Sequence, residues 1–353
     1  MIRIRPFGNT GMEVTELGLG GIPIMRVDMD AAADIVNHAL DCGINYLDTA
    51  RVYADSEAKF GQVMKHRRNE CFLATKSNQR SKEGALRDLE ESLANLQTDY
   101  LDVWQLHDVS TSQWWEEVMG PGGALEAAKR ARAEGKVRFI GLTGHNIAVL
   151  RKAIDSGEFA SVLCVYNLGI NDTDETVIKP ARAAGMGVAI MKPLSGGIFF
   201  RHLKAQEAEL QISPDIAWRY VLSNPDISVA LAGTQELRDI DQAIAASEAQ
   251  QPLSPEEAEP YVAFARSLGE DVCRDCRYCK DCPEGIEVWR IMQMLDRARV
   301  YSYEWPKFRT EYAALEPQAD ACLECGQCEE ACPFDLGIME RLKKAHEHFS
   351  QPV

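Results

Sequence analysis

Three features of this 353-residue chain predict an α/β fold in which a closed (β/α)8 TIM barrel is followed by a mainly helical domain. Short apolar, β-branched runs alternate eight times with longer amphipathic runs between about residues 14 and 249. This span is close to the roughly 250 residues of a typical (β/α)8 barrel. Neither glycine cluster that follows a predicted strand has the G-x-G-x-x-G spacing of an open dinucleotide-binding sheet, so the closed barrel is favoured.

The predicted strands are short runs rich in β-branched and apolar residues, bounded by glycine or polar positions. They cover Val14 to Gly20, Asn45 to Ala50, Cys71 to Lys76, Tyr100 to His107, Val137 to Gly144, Ser161 to Asn167, Gly187 to Pro193 and Ile227 to Thr234. Apolar residues at three- and four-residue intervals predict helices in the intervening segments. These helices include Ala31 to Asp41, Ser56 to Lys65, Lys82 to Leu96, Ala124 to Glu134 and Pro214 to Leu222. The opening segment MIRIRPFGNTGMEV predicts a small hairpin that turns at Asn9-Thr10-Gly11 and caps the bottom of the barrel.

The composition changes after Gln250, where the polar, proline-containing stretch QQPLSPEEAEP predicts a linker. A chain of this length exceeds what one compact core usually serves. We therefore predict two domains, a barrel over residues 1–250 and a second domain over residues 251–353.

Eight of the eleven cysteines lie in two short runs within this second domain. The runs are Cys273, Cys276, Cys279 and Cys282 before Pro283, and Cys322, Cys325, Cys328 and Cys332 before Pro333. The second run fits the bacterial ferredoxin spacing C-x2-C-x2-C-x3-C-P, and the first differs only by one residue before its last cysteine. Zinc sites usually draw their ligands from separated pairs, and disulfide scaffolds suit short secreted chains. Two 4Fe-4S clusters are therefore the leading hypothesis, with zinc as the main alternative.

The spacing also predicts how the two runs share their clusters. Three evenly spaced cysteines can face one iron–sulfur cube, whereas the cysteine before a proline has an extended backbone that turns the chain away. We therefore expect a crossed arrangement. In it Cys273, Cys276 and Cys279 share one cluster with Cys332, and Cys322, Cys325 and Cys328 share the other with Cys282.

A formal net charge of −16 leaves no broad basic surface for a phosphate backbone, so no nucleic-acid partner is expected. The chain begins MIRIRPFG, which lacks the apolar core of a signal peptide, and no apolar run has the length needed to cross a bilayer. We therefore expect a cytoplasmic protein with no membrane partner, in a compartment that keeps thiols reduced. Cys42, Cys71 and Cys164 fall in apolar stretches and are predicted to be buried in the core.

Four polar residues, Asp48, Tyr53, Lys76 and His107, lie at or just after the ends of three consecutive predicted strands. Chemistry in a (β/α)8 barrel is expected at this C-terminal rim. Singly, such residues often form structural ion pairs or satisfied core contacts. Together they predict an acid–base site, because a buried lysine favours the phenolate of a neighbouring tyrosine and an aspartate holds that lysine charged. The tyrosine then donates a proton to a carbonyl oxygen, which a neutral histidine orients.

The strings GLGGIPI, INYLDTARVYADSE, FLATKS, SLANLQTDYLDVWQLH, GKVRFIGLTGHN and VAIMKPLSGG resemble the aldo-keto reductase family. CRDCRYCKDCPEGI and CLECGQCEEACP resemble its branch with an appended C-terminal ferredoxin-like domain, so the resemblance spans nearly the whole chain. It implies that Asp48, Tyr53, Lys76 and His107 are the catalytic tetrad, with Tyr53 as proton donor. It also implies a reduced nicotinamide cofactor, usually NADPH, extended across the top of the barrel.

The cofactor positions follow the family less closely. Where many members have a Ser-Asn pair, a glutamine and a stacking tyrosine, this chain has Thr143, Gly144, Leu163 and Met191. Arg238 is the sole basic residue in the loop GTQELRDIDQA, where a basic side chain commonly binds the 2′-phosphate. NADPH and NADH therefore both remain open. The predicted cofactor-binding residues are Thr143, Asn167, Lys192, Pro193, Leu194, Gly233 and Arg238.

Two further rim residues are candidate substrate contacts. Arg51 could bind a substrate carboxylate or phosphate through a forked contact, or be solvated surface. His145 could touch substrate, or be a loop histidine that caps a helix.

The function predicted from these residues is an oxidoreductase that reduces an aldehyde or ketone, or oxidises an alcohol, with NADPH or NADH. The clusters raise an alternative, because they pass single electrons whereas a nicotinamide passes a hydride. In that alternative the chain is an electron-transfer or partner-docking protein, coupled to a ferredoxin or flavin partner rather than to free nicotinamide. A structural role for the clusters is also compatible with the sequence.

Overall fold

The computed structural model describes residues 1–201, 209–267, 273, 278–300, 305–332 and 336–351. By internal contacts the chain divides into two units. One comprises Met1–Leu194 with Pro214–Ser254, and the other comprises Ser195–Ser213 with Pro255–Val353. Ser195–Ser213, which the sequence assigned to the barrel, is therefore grouped with the C-terminal residues.

The barrel unit contains a two-stranded antiparallel hairpin and a closed barrel of parallel strands in the order β10-β3-β4-β5-β6-β7-β8-β9. The strands are β1 (Ile4–Pro6), β2 (Glu13–Thr15), β3 (Leu17–Gly20), β4 (Tyr46–Asp48), β5 (Phe72–Ser77), β6 (Leu101–Leu106), β7 (Val137–Thr143), β8 (Ser161–Val165), β9 (Gly187–Met191) and β10 (Val229–Gly233). The predicted (β/α)8 barrel is confirmed.

The described helices alternate with the barrel strands and continue into the C-terminal unit. They are α1 (Met29–Asp41), α2 (Ser56–Arg67), α3 (Lys82–Leu96), α4 (Ser112–Met119), α5 (Ala124–Ala133), α6 (Ile147–Ser156), α7 (Lys179–Ala183), α8 (Ile198–Arg201), α9 (Pro214–Ser223), α10 (Leu237–Glu248), α11 (Pro255–Ser267), α12 (Val288–Val300), α13 (Trp305–Ala313), α14 (Gln327–Glu330) and α15 (Ile338–Phe349). A side-chain oxygen at the N-cap starts several of them: Ser81 accepts from the Gly84 amide at the start of α3.

The first predicted strand is wrong as a single element, because the chain divides it into β2 and β3 around Glu16. The buried Glu16 carboxylate pairs with Arg5 at 2.6 Å and accepts a hydrogen bond from Ser247 at 2.7 Å. β2 instead pairs with β1 to form the predicted N-terminal hairpin. Its turn contains Gly11 in the left-handed region, with φ 73°, which glycine adopts without steric cost.

The hairpin closes one end of the barrel interior. Phe7, Met12 and Val14 pack in one buried cluster with side chains from inside the barrel strands, among them Ala74 and Val103. The fit is close at Gly187, where an added Cβ would lie 2.6 Å from the Phe7 ring. With this end filled by apolar side chains, polar chemistry is confined to the opposite rim.

The predicted linker is wrong over its second half, since Pro255 begins helix α11. Proline suits the first position of a helix because its φ is already helical, and Glu256 and Glu257 in the first turn complement the helix dipole. Ala258 and Val262 recur at a four-residue interval and are buried. A polar composition concealed this amphipathic pattern.

The C-terminal unit has its own buried core, in which α12 contacts α13 and α15. Phe308 and Tyr312 of α13 pack their rings against Phe349 of α15. No helix in the described ranges has the length and apolarity needed to cross a membrane.

Two of the three isolated cysteines are buried as predicted, namely Cys71 and Cys164. The prediction for Cys42 is wrong, because its side chain is exposed. Cys42 caps the C-terminal end of α1, beyond the buried Ala39 and Leu40, and so lies outside the helix face that packs on the barrel.

Candidate active site and cluster-binding cysteines

The structure brings the four predicted rim residues together at the ends of three neighbouring strands. Asp48 ends β4, Lys76 is the penultimate residue of β5, and His107 directly follows β6. Tyr53 lies on the loop between β4 and α2, where its amide donates to the Ala50 carbonyl at 3.0 Å. Parallel pairing of β4, β5 and β6 places all four residues at one end of the barrel. We refer to Asp48, Tyr53, Lys76 and His107 as the tetrad.

A buried ion pair lies at the centre of the tetrad. The Lys76 ammonium donates to Asp48 Oδ1 and, at 2.7 Å, to the Thr49 carbonyl. Lys76 is 0% exposed and Asp48 is 2% exposed. Burial by itself would lower the pKa of Lys76, but the Asp48 carboxylate and the Tyr53 phenol outweigh burial and raise that pKa above its ordinary value. Lys76 therefore remains a cation at neutral pH despite its burial.

The tyrosine and histidine complete the site above this ion pair. The Lys76 ammonium lies 5.1 Å from the centroid of the Tyr53 ring, and the two side chains also share a hydrogen bond. The Tyr53 and His107 rings meet edge to face, with centroids 5.7 Å apart and an interplanar angle of 82°. Both are only partly buried, whereas Lys76 and Asp48 are fully covered. The ionisable pair is thus shielded and the two rings are accessible to a ligand.

Gln105 is a fifth member of the site that the sequence analysis missed. Its side-chain amide donates to Asp48 Oδ2 at 2.7 Å, so each oxygen of this carboxylate has a donor. Burial is the main influence that raises the pKa of Asp48, while Lys76 and Gln105 both favour its ionised form. The signal was present in DVWQLH: Gln105 is two residues from His107 and so shares the interior face of the strand.

Arg80 also contributes and was not predicted. Its guanidinium donates to the backbone carbonyls of His107 at 2.7 Å and Asp108 at 3.0 Å, and it stacks over the Trp114 ring at 4.6 Å. Asp108 has a left-handed backbone, with φ 50°, which is costly for a non-glycine residue unless its surroundings hold it. Arg80 thereby fixes the loop that carries His107. A lone arginine in a predicted loop gave no signal for this role.

Two of the predicted cofactor residues use their side chains to shape the rim. The Thr143 hydroxyl accepts from the Asp108 amide at 2.8 Å. The side-chain oxygen Oδ1 of Asn167 accepts hydrogen bonds from the backbone amides of Gly169 and Ile170, each at 3.0 Å. The side-chain NH2 group of Asn167 donates to the backbone carbonyl of Lys192 at 3.0 Å. Asn167 therefore ties the end of β8 to the end of β9.

The other predicted cofactor residues lie after β9 and β10. Lys192 has a left-handed backbone with φ 57°, followed by the buried Pro193 and the half-buried Leu194. Gly233 ends β10 and is exposed. Arg238 lies in the first turn of α10, is 76% exposed, and has its guanidinium 3.9 Å from Glu236. Its side chain can therefore reorient at little cost.

The two candidate substrate residues have defined surroundings. The Arg51 guanidinium donates twice to Glu91 Oε2, at 2.7 and 3.0 Å, and lies 3.9 Å from Glu57. A substrate anion would have to compete with these carboxylates. The His145 amide donates to the Ser110 hydroxyl at 2.9 Å. The helix-capping alternative for His145 is wrong, because the Asn146 side chain caps α6.

Four of the cluster-run cysteines line one cavity, partly open to solvent, in the C-terminal unit. They are Cys282 from the first run and Cys322, Cys325 and Cys328 from the second. This cavity, named here the cysteine cavity, is also lined by Val288 and Leu342. The last cysteine of the first run thus lies beside the first three cysteines of the second run.

The structure describes three of the other four cysteines of the two runs, and these three do not line this cavity. Cys279 lies in the turn Tyr278–Lys280, which contacts α14, and Cys332 follows α14 by two residues. The Cys273 amide donates to the Asp296 carboxylate at 2.7 Å. Cys276 lies outside the described residues.

Comparison with known families gives two matches along the chain. Residues 16–213 match the model described as "Aldo/keto reductase family". Residues 272–337 match the model described as "4Fe-4S dicluster domain", and this range contains both cysteine runs.

Individual relatives match about seven-tenths of the chain. L-galactose dehydrogenase of Arabidopsis thaliana is 28% identical over 287 residues, covering 69% of this chain and 88% of the relative. The uncharacterized oxidoreductase YqkF of Bacillus subtilis is 23% identical, covering 72% and 94%. Among solved structures, the holo form of an aldo-keto reductase from Bacillus halodurans superposes with a TM-score of 0.65 at 22% identity, covering 75% of this chain and 96% of that one. This structural likeness establishes the fold.

Proposed function

Because this chain belongs to the aldo/keto reductase family of oxidoreductases, we propose that it interconverts a small carbonyl substrate and its alcohol by hydride exchange with NADPH or NADH. The observation that carries the proposal is the buried Lys76–Asp48 ion pair next to Tyr53. The cost of removing two charges from water offsets much of their mutual attraction, so a chemical role explains this buried pair better than a structural one.

Each member of the tetrad has a separate task in this proposal. A bound nicotinamide supplies or accepts the hydride. Tyr53 donates its phenolic proton to the carbonyl oxygen during reduction and recovers a proton during oxidation. Lys76, kept cationic by Asp48, stabilises the phenolate that remains. His107 donates a hydrogen bond to the substrate oxygen and stabilises the developing alkoxide.

The cofactor would be held by the rim segments after β7 to β10. Because the side chains of Thr143 and Asn167 are hydrogen-bonded to the rim backbone, we propose that they shape the surface on which the dinucleotide lies. Lys192, Pro193, Leu194 and Gly233 would supply backbone contacts, and Arg238 would contact the adenosine end. One exposed arginine predicts a weaker preference for the 2′-phosphate than the family usually shows.

The cysteine cavity fits one 4Fe-4S cluster, because its four thiols match the donor set that such a cluster requires. We propose the crossed arrangement for both runs, with Cys273, Cys276, Cys279 and Cys332 holding the second cluster. Bound clusters supply one-electron transfer. The protein's part is to place four thiols around each cube and to cover them with the core of the C-terminal unit.

The proposed activity is tested with anaerobically purified, cluster-loaded protein. NADH and NADPH are titrated separately, and turnover is assayed with aldehydes, ketones and aldoses, including L-galactose because one relative is named for its oxidation. We expect a nicotinamide to bind and at least one carbonyl–alcohol pair to turn over. If neither nicotinamide binds, the proposal is wrong.

A second candidate function is electron exchange with a ferredoxin or flavin partner. The observation that favours it is an open edge of the cysteine cavity, where Cys325 is exposed and Leu323 is 70% exposed. A cluster near the surface can pass electrons to a docked partner. Dye-coupled and nicotinamide-coupled assays of the same preparation separate the candidates: activity with dyes alone would favour the partner-coupled function.

A further inference from the structure

A second group of metal-ligating side chains lies outside the tetrad and the cysteine cavity. His38 is in the last turn of α1, Cys42 caps the same helix, and Asp241 is on α10, which packs against α1. The His38 Nε2, Cys42 Sγ and Asp241 carboxylate atoms all lie within 4.8 Å of one another. Neither family match nor the proposed function gives these three residues a role.

The distances are close to those of a tetrahedral metal site. Zinc lies about 2.0–2.1 Å from an imidazole nitrogen and about 2.3 Å from a thiolate, which puts two such ligand atoms about 3.6 Å apart. His38 Nε2 and Cys42 Sγ are 3.7 Å apart. His38 Nε2 and Asp241 Oδ1 are 2.7 Å apart, and a shared metal would need them roughly 0.6 Å further apart. A small side-chain rotation provides this, because both groups are partly exposed.

The backbone positions of the three ligands are held by the barrel core. His38 and Cys42 are four residues apart and so lie on one helix face, and the Cys42 amide donates to the His38 carbonyl at 2.9 Å. Ala39 and Leu40, between them in sequence, are buried. Ile240, next to Asp241, is also buried. Ordered backbone lowers the entropic cost of assembling a metal site.

The charges around this group leave Asp241 available to a cation. Asp41 pairs with Arg67 and Glu248 pairs with the N-terminal ammonium, each at 2.8 Å. Asp241 instead pairs with His38, inside the group itself, at 2.7 Å. Of these three carboxylates, Asp241 can therefore bind a divalent ion without leaving another cation unpaired.

We propose that His38, Cys42 and Asp241 form a binding site for zinc or a similar divalent transition metal. Thiolate, imidazole and carboxylate are the three protein ligand types that zinc accepts, and three ligands leave one coordination position for water. On binding, the metal displaces the proton of the Cys42 thiol. His38 binds through Nε2 as a neutral imidazole whose single proton is on Nδ1.

The test is the rate at which Cys42 is alkylated in cluster-loaded protein, read by peptide mass spectrometry with and without equimolar zinc. Peptide mapping isolates Cys42 from the cluster cysteines. Only a free thiolate reacts, so we expect zinc to slow alkylation of Cys42 by about tenfold or more. Equal rates with and without zinc would overturn the proposal.

Two variants and one control distinguish a shared site from binding to the thiol alone. His38→Gln keeps a hydrogen-bonding partner for Asp241 but removes the imidazole, and Asp241→Ala removes the carboxylate. We expect zinc protection of Cys42 to be lost in both. Asp155→Asn, an exposed change on α6, should retain full protection. Protection that persists in His38→Gln and Asp241→Ala would show that no three-residue site exists.

Discussion

The tetrad and the cysteine cavity are assembled in different ways. The Asp48–Lys76 pair is buried and hydrogen-bonded to Gln105 and to the Thr49 backbone, so protein contacts alone hold it in place. Cys282, Cys322 and Cys325 lie on loops, Cys328 lies in the short helix α14, and Cys325 is exposed. Their common geometry depends on the metal that would join them. Substitutions at the rim should therefore change chemistry more than folding, whereas substitutions at the cysteines should change the C-terminal unit itself.

The largest effect is expected at Tyr53. Tyr53→Phe removes the phenolic proton but keeps the ring that meets His107, so turnover should fall by roughly 10²–10⁴-fold with little change in folding or nicotinamide affinity. Steady-state kinetics and a binding titration measure the two effects. Tyr261→Phe, on α11, is the matched control and should retain parental turnover. If Tyr53→Phe turned over substrate at the parental rate, Tyr53 would not be the proton donor.

The next largest effect is expected at Cys282. The parent should contain about eight irons per chain, as two four-iron clusters require, and Cys282→Ser should lose up to half of them. Because Cys282 lines the same cavity as the second run, alkylation should then reach Cys322, Cys325 and Cys328 while Cys279 stays protected. Cys42→Ser is the matched control and should keep all of its iron. Exposure of Cys279 instead would mean that each run holds its own cluster.

At Lys76, the prediction concerns pH. Lys76→Met removes the cation that favours the Tyr53 phenolate, so the rise of alcohol oxidation with pH should move upward by about 1–3 pH units. A pH–rate profile of kcat/KM measures this shift. Lys59→Met, a change at another buried lysine, controls for loss of a buried cation outside the tetrad. An unmoved profile would exclude a tuning role for Lys76.

Lys76 also affects stability at alkaline pH. Its raised pKa means that the ion pair stabilises the fold fully below the ordinary lysine value of 10.5. That stabilisation is lost as the pH rises through the higher pKa of the folded state. The free energy of unfolding, measured with denaturant between pH 9 and pH 12, should therefore decrease with rising pH in the parent. The decrease should be smaller in Lys76→Met.

The smallest effect is expected at Gln105. Gln105→Leu leaves Asp48 Oδ2 without its amide donor, which should cost about 1–3 kcal/mol of unfolding free energy and reduce turnover less than Tyr53→Phe does. Gln113→Leu, on the surface helix α4, is the control. A loss of turnover as large as that of Tyr53→Phe would mean that Gln105 acts directly on the substrate.

The sequence was most informative where one local pattern determines position. Strand-end residues such as Asp48 and Lys76 could be located because the alternation of strand and helix patterns shows where each strand ends. The predicted family and fold are confirmed. Gln105 was missed because its role depends on a partner 57 positions away in the chain. Glu16 divides the first predicted strand through long-range contacts with Arg5 and Ser247, which no local pattern reveals.

The crossed cluster arrangement and the roles of the tetrad remain predictions. The cysteine spacing predicted that Cys282 would lie with the second run, and the cysteine cavity is consistent with it. The cofactor contacts were harder to predict, because loops such as that of Asn167 depend on hydrogen bonds between separate strand ends. Local composition also led to two wrong predictions. The start of α11 was predicted to be a linker, and the exposed Cys42 was predicted to be buried in the core.

The most direct test of the central claim follows a labelled hydride. Reduced nicotinamide carrying deuterium at its transferable position is incubated anaerobically with cluster-loaded protein and a carbonyl substrate that it turns over, and the alcohol is analysed by mass spectrometry. Direct hydride transfer beside Tyr53 predicts one deuterium on the alcohol carbon, which was the carbonyl carbon of the substrate. Product formed without deuterium at that carbon would show that electrons pass through the clusters instead, and would contradict the account.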